Sequence, residues 1–140
     1  MEETVIVIML KDVETGFLEK ELGCYKLEEN QNFIYNTYAL KNDDGYSVFM
    51  KITTDREVED WEFDAIYDYY DTETLKPYVT SINEDDDCYN PTWVISFDFI
   101  DNEEEMEQKI SNLLSLHKKE LYWVYEASED KKDEYINNEE

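Results

Sequence analysis

Glycine, proline, cysteine, histidine and positive charge are all scarce in this 140-residue chain, and each shortage excludes something. The only glycines are Gly16, Gly23 and Gly45. All three read as turn or bulge residues, so neither a phosphate-cradling loop nor a dinucleotide fingerprint can be written, and nucleotide chemistry is set aside. Cys24 and Cys88 are the only cysteines. They are too few for a disulfide framework in a chain able to bury a core, and both are expected to stay reduced. His117 is the only histidine, so any Cys–His or Ser–His dyad would have to use it. Lys and Arg number 12 against 37 Asp and Glu, for a formal charge of −25, and Arg56 is the only arginine. Phosphate binding needs gathered ammonium and guanidinium groups, so nucleic acid and anionic membrane are excluded as direct partners.

Long apolar runs are also missing. The stretch Val5-Ile6-Val7-Ile8-Met9-Leu10 follows two acids rather than Lys or Arg, which reads as a strand and not as a signal peptide. No segment approaches the roughly 20 apolar residues of a membrane-spanning helix. The expected location is the cytoplasm.

What the chain does have is apolar and aromatic mass. Hydrophobic residues make up 41% and aromatics 15%, with 12 Tyr, 6 Phe and 3 Trp, far above what a disordered acidic segment carries. The length fits one domain. We expect residues 1–127 to form it and residues 128–140, which lose the apolar pattern, to be an acidic, frayed tail. A charge this large favours solubility and opposes compaction by self-repulsion, and it points to basic proteins or cations as partners.

Turn chemistry organises the first half. A strand over Thr4 to Lys11 and a second from Phe17 to Leu27 are joined by Glu14-Thr15-Gly16, with Gly16 in the left-handed position, and Gly23 marks a bulge. Strands at Phe33 to Asn42 and Tyr46 to Thr53 flank Asp43-Asp44-Gly45. A two-residue loop there sets Ala39 opposite Met50. A three-residue loop ending in left-handed Gly45 sets Leu40 opposite Val48 and Tyr38 opposite Met50, and this second register is preferred because it pairs apolar residues on one face.

From Val58 to Tyr70 the aromatics alternate as in a strand, while Val58, Trp61, Ala65, Ile66 and Tyr69 also fit a helical stripe. The preferred reading is a strand through Trp61 and Phe63 followed by a helical turn. A short strand at Tyr78 to Ile82 precedes an acidic loop, Asn83 to Pro91. Thr92 to Ile100 alternates most cleanly, with Trp93, Ile95, Phe97 and Phe99 on the core side. Asn102 then caps a helix reaching Ala127, with Met106, Ile110, Leu113, His117, Leu121 and Val124 along one stripe. The implied fold class is α+β: a two-layer hairpin meander of six or seven antiparallel strands with one long C-terminal helix packed on a face.

Candidate chemistry is thin. His117 reads as a boundary side chain of the helix. The carboxylates before Cys88 favour its neutral thiol, and Cys24 reads as packed. Asn83, Asp85 and Asp87 alternate like the first half of a calcium loop, but Cys88 stands where glycine is needed and Val94 where glutamate is needed, leaving weak, non-selective cation binding. No cofactor and no specific metal site are expected. No carboxylate pair is singled out as a glycosidase acid and base.

The densest acidic-aromatic stretch is Asp55 to Glu73. Within it Glu59, Asp60, Glu62, Asp64, Tyr67, Asp68, Tyr70 and Asp71 form the candidate partner-binding surface, combining steering charge with aromatic anchors. The bland alternative is that Trp61, Phe63 and Ile66 are core and the acids are their wet side.

Three stretches, Lys11-Asp12-Val13-Glu14-Thr15-Gly16-Phe17-Leu18, Asp60-Trp61-Glu62-Phe63-Asp64-Ala65-Ile66-Tyr67-Asp68 and Tyr89-Asn90-Pro91-Thr92-Trp93, together resemble a family of small acidic bacterial proteins classed as a domain of unknown function. That resemblance implies no activity and assigns no functional residues. Three readings of function follow. The first is a non-enzymatic binding domain, an inhibitor, immunity-type partner or nucleic-acid mimic that engages a basic protein. The second is a housekeeping domain that forms a homodimer through an apolar patch. The third is a small carboxylate-dependent hydrolase.

Overall fold

The computed structural model describes residues 4–138. In chain order the strands are β1 Thr4–Lys11, β2 Leu18–Leu27, β3 Ile34–Lys41, β4 Tyr46–Thr53, β5 Ser81–Glu84 and β6 Thr92–Asp98. The helices are α1 Asp60–Tyr69, α2 Glu103–Ser128 and α3 Lys132–Asn138. The architecture is the expected α+β one, a single open sheet of order β2-β1-β3-β4-β6-β5 with the long helix packed on it. Two neighbour pairs depart from the expected meander: β3 lies beside β1, and β6 is inserted between β4 and β5. The chain leaves β2 through a 3-10 turn at Gln31–Phe33 and lays β3 parallel to β1, with Leu10 opposite Ala39.

The first hairpin has its left-handed glycine where expected, but its loop is the four residues Val13 to Gly16 rather than three, closed by the Asp12 N–H donating to Phe17 O at 2.9 Å. Gly16 is left-handed at φ 77°, and the Asp12 carboxylate accepts from the Glu14 N–H at 2.8 Å. The bulge is present as well: Ile8 faces Gly23 while Met9 faces Glu21, leaving Leu22 as the extra residue. A Cβ on Gly23 would stand 2.2 Å from the Tyr25 hydroxyl. Gly23 therefore makes room for the Tyr25 ring, which is buried in the core.

Both registers considered for the second hairpin are corrected. The loop has four residues, and Ala39 pairs with Val48 while Thr37 pairs with Met50. Asn42 is the cause. Its backbone N–H donates to Gly45 O (2.8 Å), its side-chain oxygen accepts from the Asp44 N–H (2.9 Å), and its amide donates to Ser47 Oγ (2.7 Å). Gly45 lies at φ 159°, near the extended region. The slip turns Tyr38 and Leu40 away from the core, because a one-residue change of register exchanges the faces of a strand. Tyr38 instead stacks on Phe49 on the other side of the sheet, with centroids 5.5 Å apart and planes at 13°.

The strand expected through Trp61 and Phe63 is helix α1. Trp61, Ala65 and Ile66 form its buried stripe, and the Glu62 carboxylate reaches back to the Glu59 backbone N–H at 3.0 Å, closing a capping box with Glu in place of Ser or Thr. The strand expected at Tyr78 to Ile82 begins three residues later, because Lys76–Tyr78, with Pro77 inside it, forms a 3-10 turn. β6 stops at Asp98 rather than Ile100.

α2 begins as the sequence indicates. Asn102 Oδ1 accepts from the Glu105 N–H at 2.9 Å, three glutamates occupy the first turn, and their charge suits the positive end of the helix dipole. Met106, Ile110, Leu113, His117, Leu121 and Val124 are all buried. The residues beyond Ser128, expected to fray, include the short helix α3, whose Tyr135 hydroxyl donates to Asp68 at 2.8 Å.

All the helices lie on one side of the sheet. The Trp93 ring of β6 meets Tyr67 and Tyr70 of α1 and His117 of α2, while α3 contacts α1. The core thus sits between the helices and the face carrying Ile8, Ala39, Val48, Met50, Ile52, Trp93, Ile95 and Phe97. Among the described residues no helix packs on the opposite face.

Candidate functional site

Helix α1 sorts the eight expected binding residues into three groups. Its buried stripe faces the core, so Asp60, Asp64 and Asp68, spaced by four, fall on the solvent side within about 80° of arc at 3.6 residues per turn. All three are exposed, and Asp71 continues the line just past the helix. Asp68 accepts the Tyr135 hydroxyl at 2.8 Å, and Asp71 caps the following 3-10 turn by accepting from the Glu73 N–H at 3.0 Å. Among the described residues no Lys or Arg pairs with any of the four, whereas Asp85, Glu62, Glu73 and Glu59 each have a cation within 4.0 Å.

Glu59 and Glu62 are structural. Glu59 accepts from Trp61 Nε1 at 2.9 Å, and Glu62 is held by Arg56 at 2.7 Å, which keeps its carboxyl below the usual range. Tyr67 and Tyr70, expected as anchors for a partner, are turned inward instead. The Tyr67 hydroxyl accepts from the Thr92 N–H at 2.8 Å and lies 3.0 Å from the Thr92 carbonyl, and burial pushes its pKa up to about 12. Tyr70 is buried and stacks on Trp93 at 4.2 Å.

Tyr70 ends at the only histidine. Its hydroxyl stands 2.8 Å from His117 Nδ1, while His117 Nε2 stands 2.8 Å from the Thr53 carbonyl. A carbonyl only accepts, so Nε2 carries the proton and Nδ1 accepts from Tyr70. Phe33 and Trp93 contact the ring edge-on. His117 is therefore not the boundary side chain that the helix pattern suggested but a fully buried one, and burial lowers its pKa to about 4. Both of its nitrogens are occupied by the fold, leaving none to act on a substrate.

A second junction, absent from the sequence reading, centres on Asp55. Its carboxylate accepts the hydroxyls of Tyr122 and Tyr125, both on α2. Neighbouring Arg56 lies 4.4 Å over the Tyr125 ring while pairing with Glu62, so the one arginine ties α1, α2 and the β4–α1 loop together. On the same turn of α2, Trp123 is 55% exposed beside a surface cleft of about 550 Å³ lined by Glu29, Lys118, Lys119 and Glu126. A helical projection that places Leu121 and Val124 inward already puts Trp123 outside, and that was the available signal.

The acidic loop after β5 is tied to the sheet through Asp85. Asp85 pairs with Lys51 at 2.9 Å, which lowers its pKa. Cys24 lies 3.4 Å from the Glu21 carboxylate, which raises its thiol pKa and disfavours a thiolate. Among the described residues no group of three or more His, Cys, Asp and Glu is placed to hold a metal ion.

Matched against family models over residues 1–136, the chain belongs to a family of unknown function, DUF6762. No curated protein and no solved structure matches it.

Proposed function

We propose that this protein is a non-enzymatic binding domain whose solvent-facing α1 surface engages a basic protein in the cytoplasm. The observation that carries this reading is the stripe of Asp60, Asp64, Asp68 and Asp71, which no Lys or Arg neutralises among the described residues. Like charges four apart weaken a helix by a few tenths of a kcal/mol per pair, and the fold sets against this only the place of Asp60 in the first turn of α1, the bond from Tyr135 to Asp68 and the Asp71 cap. Steering of a cationic surface gives the stripe a role, since a concentrated field of one sign accelerates encounter and fixes orientation. Lys and Arg of the partner would meet the Asp carboxylates, and exposed Trp123 offers a separate aromatic anchor. The hydrolase reading has less support, because Tyr67, Tyr70 and His117 are bonded within the fold.

Capture from lysate on the immobilised protein, with elution in steps of rising salt, tests this. A discrete basic protein released at intermediate salt supports the proposal. Absence of any specific prey at low salt overturns it.

A further inference from the structure

The helix-free face of the sheet differs from the rest of the molecule in both polarity and charge. Strand alternation and pairing place Val7, Met9, Tyr38, Leu40, Phe49 and Val94 on it, opposite the core positions. Val5 and Val7 of β1 are 52% and 40% exposed. The same register gives this face three lysines, Lys11, Lys26 and Lys51, against three carboxylates, Glu21, Asp98 and Asp85 at the strand end. A chain carrying 37 acids and 12 bases thus has one face whose ladder-paired side chains, taken with Asp85, carry no net charge.

We propose that this face is the interface of a homodimer, two copies packing sheet against sheet. A basic partner gains nothing from a neutral surface, and the repulsion between two copies, each with a formal charge of −25, arises outside this face and is screened near physiological salt. A second copy brings the same neutral, apolar face. The area also fits: six strands about 4.8 Å apart and about 23 Å long give roughly 650 Å² of projected face, close to the roughly 800 Å² per partner of a standard interface.

Charge placement selects the symmetry. Lys26 of edge strand β2 lies opposite Val5, and Asp85 follows β5 at the other edge but at the same end of the sheet, beside Lys51. Lys11 and Asp98 share the opposite end, next to the β3–β4 loop, on either side of the sheet's midline. A two-fold axis running along the strands lays each edge over the other edge of the second copy. It thereby brings Lys26 towards Asp85 and Lys11 towards Asp98, each twice, around a centre formed by the stacked Tyr38 and Phe49 rings.

Light scattering after size-exclusion chromatography, near physiological salt and over a concentration series, reads the result. The proposal expects twice the chain mass. Phe49→Glu should raise the dimer dissociation constant by about tenfold or more, with an unchanged far-UV circular dichroism spectrum. Lys11→Glu should also weaken the dimer, and adding Asp98→Lys to it should restore association, which guards against misreading an unfolded Phe49 variant. Trp123→Ala should remain dimeric. A wild type that stays at the chain mass throughout overturns the proposal. A dimer that survives both Phe49→Glu and Lys11→Glu places the interface elsewhere and overturns it equally.

Discussion

The Tyr70 hydroxyl and His117 Nδ1 meet at 2.8 Å inside the core, joining α1 to α2, and His117 Nε2 continues the chain of bonds to Thr53 at the end of β4. The three elements that build the helical layer on the sheet are thus linked through one imidazole, which must be neutral to accept from Tyr70.

This neutrality sets a pH dependence. The folded pKa is about 4, depressed from an unfolded value of about 6.5, so the unfolded chain takes up the proton first as pH falls. The contribution is fully present above about pH 6.5 and is lost between about 6.5 and 4, to a total on the order of 3 kcal/mol. Protonation of the many carboxylates acts in the same range, so the comparison is with His117→Gln. Urea unfolding of both proteins should show the wild type's advantage shrinking as pH falls through that window. A constant difference would mean that His117 takes up its proton at the same pH in the folded and the unfolded chain.

Tyr70→Phe keeps the stacking on Trp93 and removes only the hydroxyl, leaving Nδ1 buried and unpaired. The expected loss is about 1–3 kcal/mol, read from the urea midpoint with an unchanged slope.

Gly23→Ala should destabilise through Tyr25. The new methyl would stand 2.6 Å from Tyr25 Cζ, so the ring must move, at a cost of about 1–3 kcal/mol for an overpacked core. In a Tyr25→Ala background the same change should cost much less. A double-mutant cycle with no coupling between the two positions would place the strain elsewhere.

Much of this fold is legible in the residues, and the failures have physical causes. Asn102, the glutamates after it and the apolar stripe to Val124 specify α2 locally, and Gly16 specifies its own turn. Val58 to Tyr70 satisfies two periodicities at once, and what decides between them is tertiary: Trp61 and Ile66 have a core to face, and Glu62 has Arg56 to hold it. The β3 register failed because the Asn42 side chain, not Gly45, organises the loop. In the candidate site Asp60, Asp64, Asp68 and Asp71 face solvent while Glu59 and Glu62 are bonded within the fold and the tyrosines turn inward, because sequence alone does not show that Glu62 would find Arg56, Tyr67 the Thr92 backbone or Tyr70 a histidine 47 residues away.

The charge balance gives a prediction independent of any partner. Salt at about 0.15 M shortens the screening length to about 8 Å. Because self-repulsion at a formal −25 opposes the folded state, the melting temperature should rise from low to moderate salt. A flat or falling response would indicate that the acids are already compensated in space.

The α1 stripe is tested most directly by a side-by-side capture with three baits: wild type, the triple variant Asp60→Asn/Asp64→Asn/Asp68→Asn, and Trp123→Ala. If the stripe steers and holds a basic protein, the triple variant loses it at low salt while folding normally, since these side chains face solvent, and Trp123→Ala retains part of it. If the triple variant captures the same protein with the same salt-elution profile as wild type, the acidic face of α1 is only the wet side of a helix.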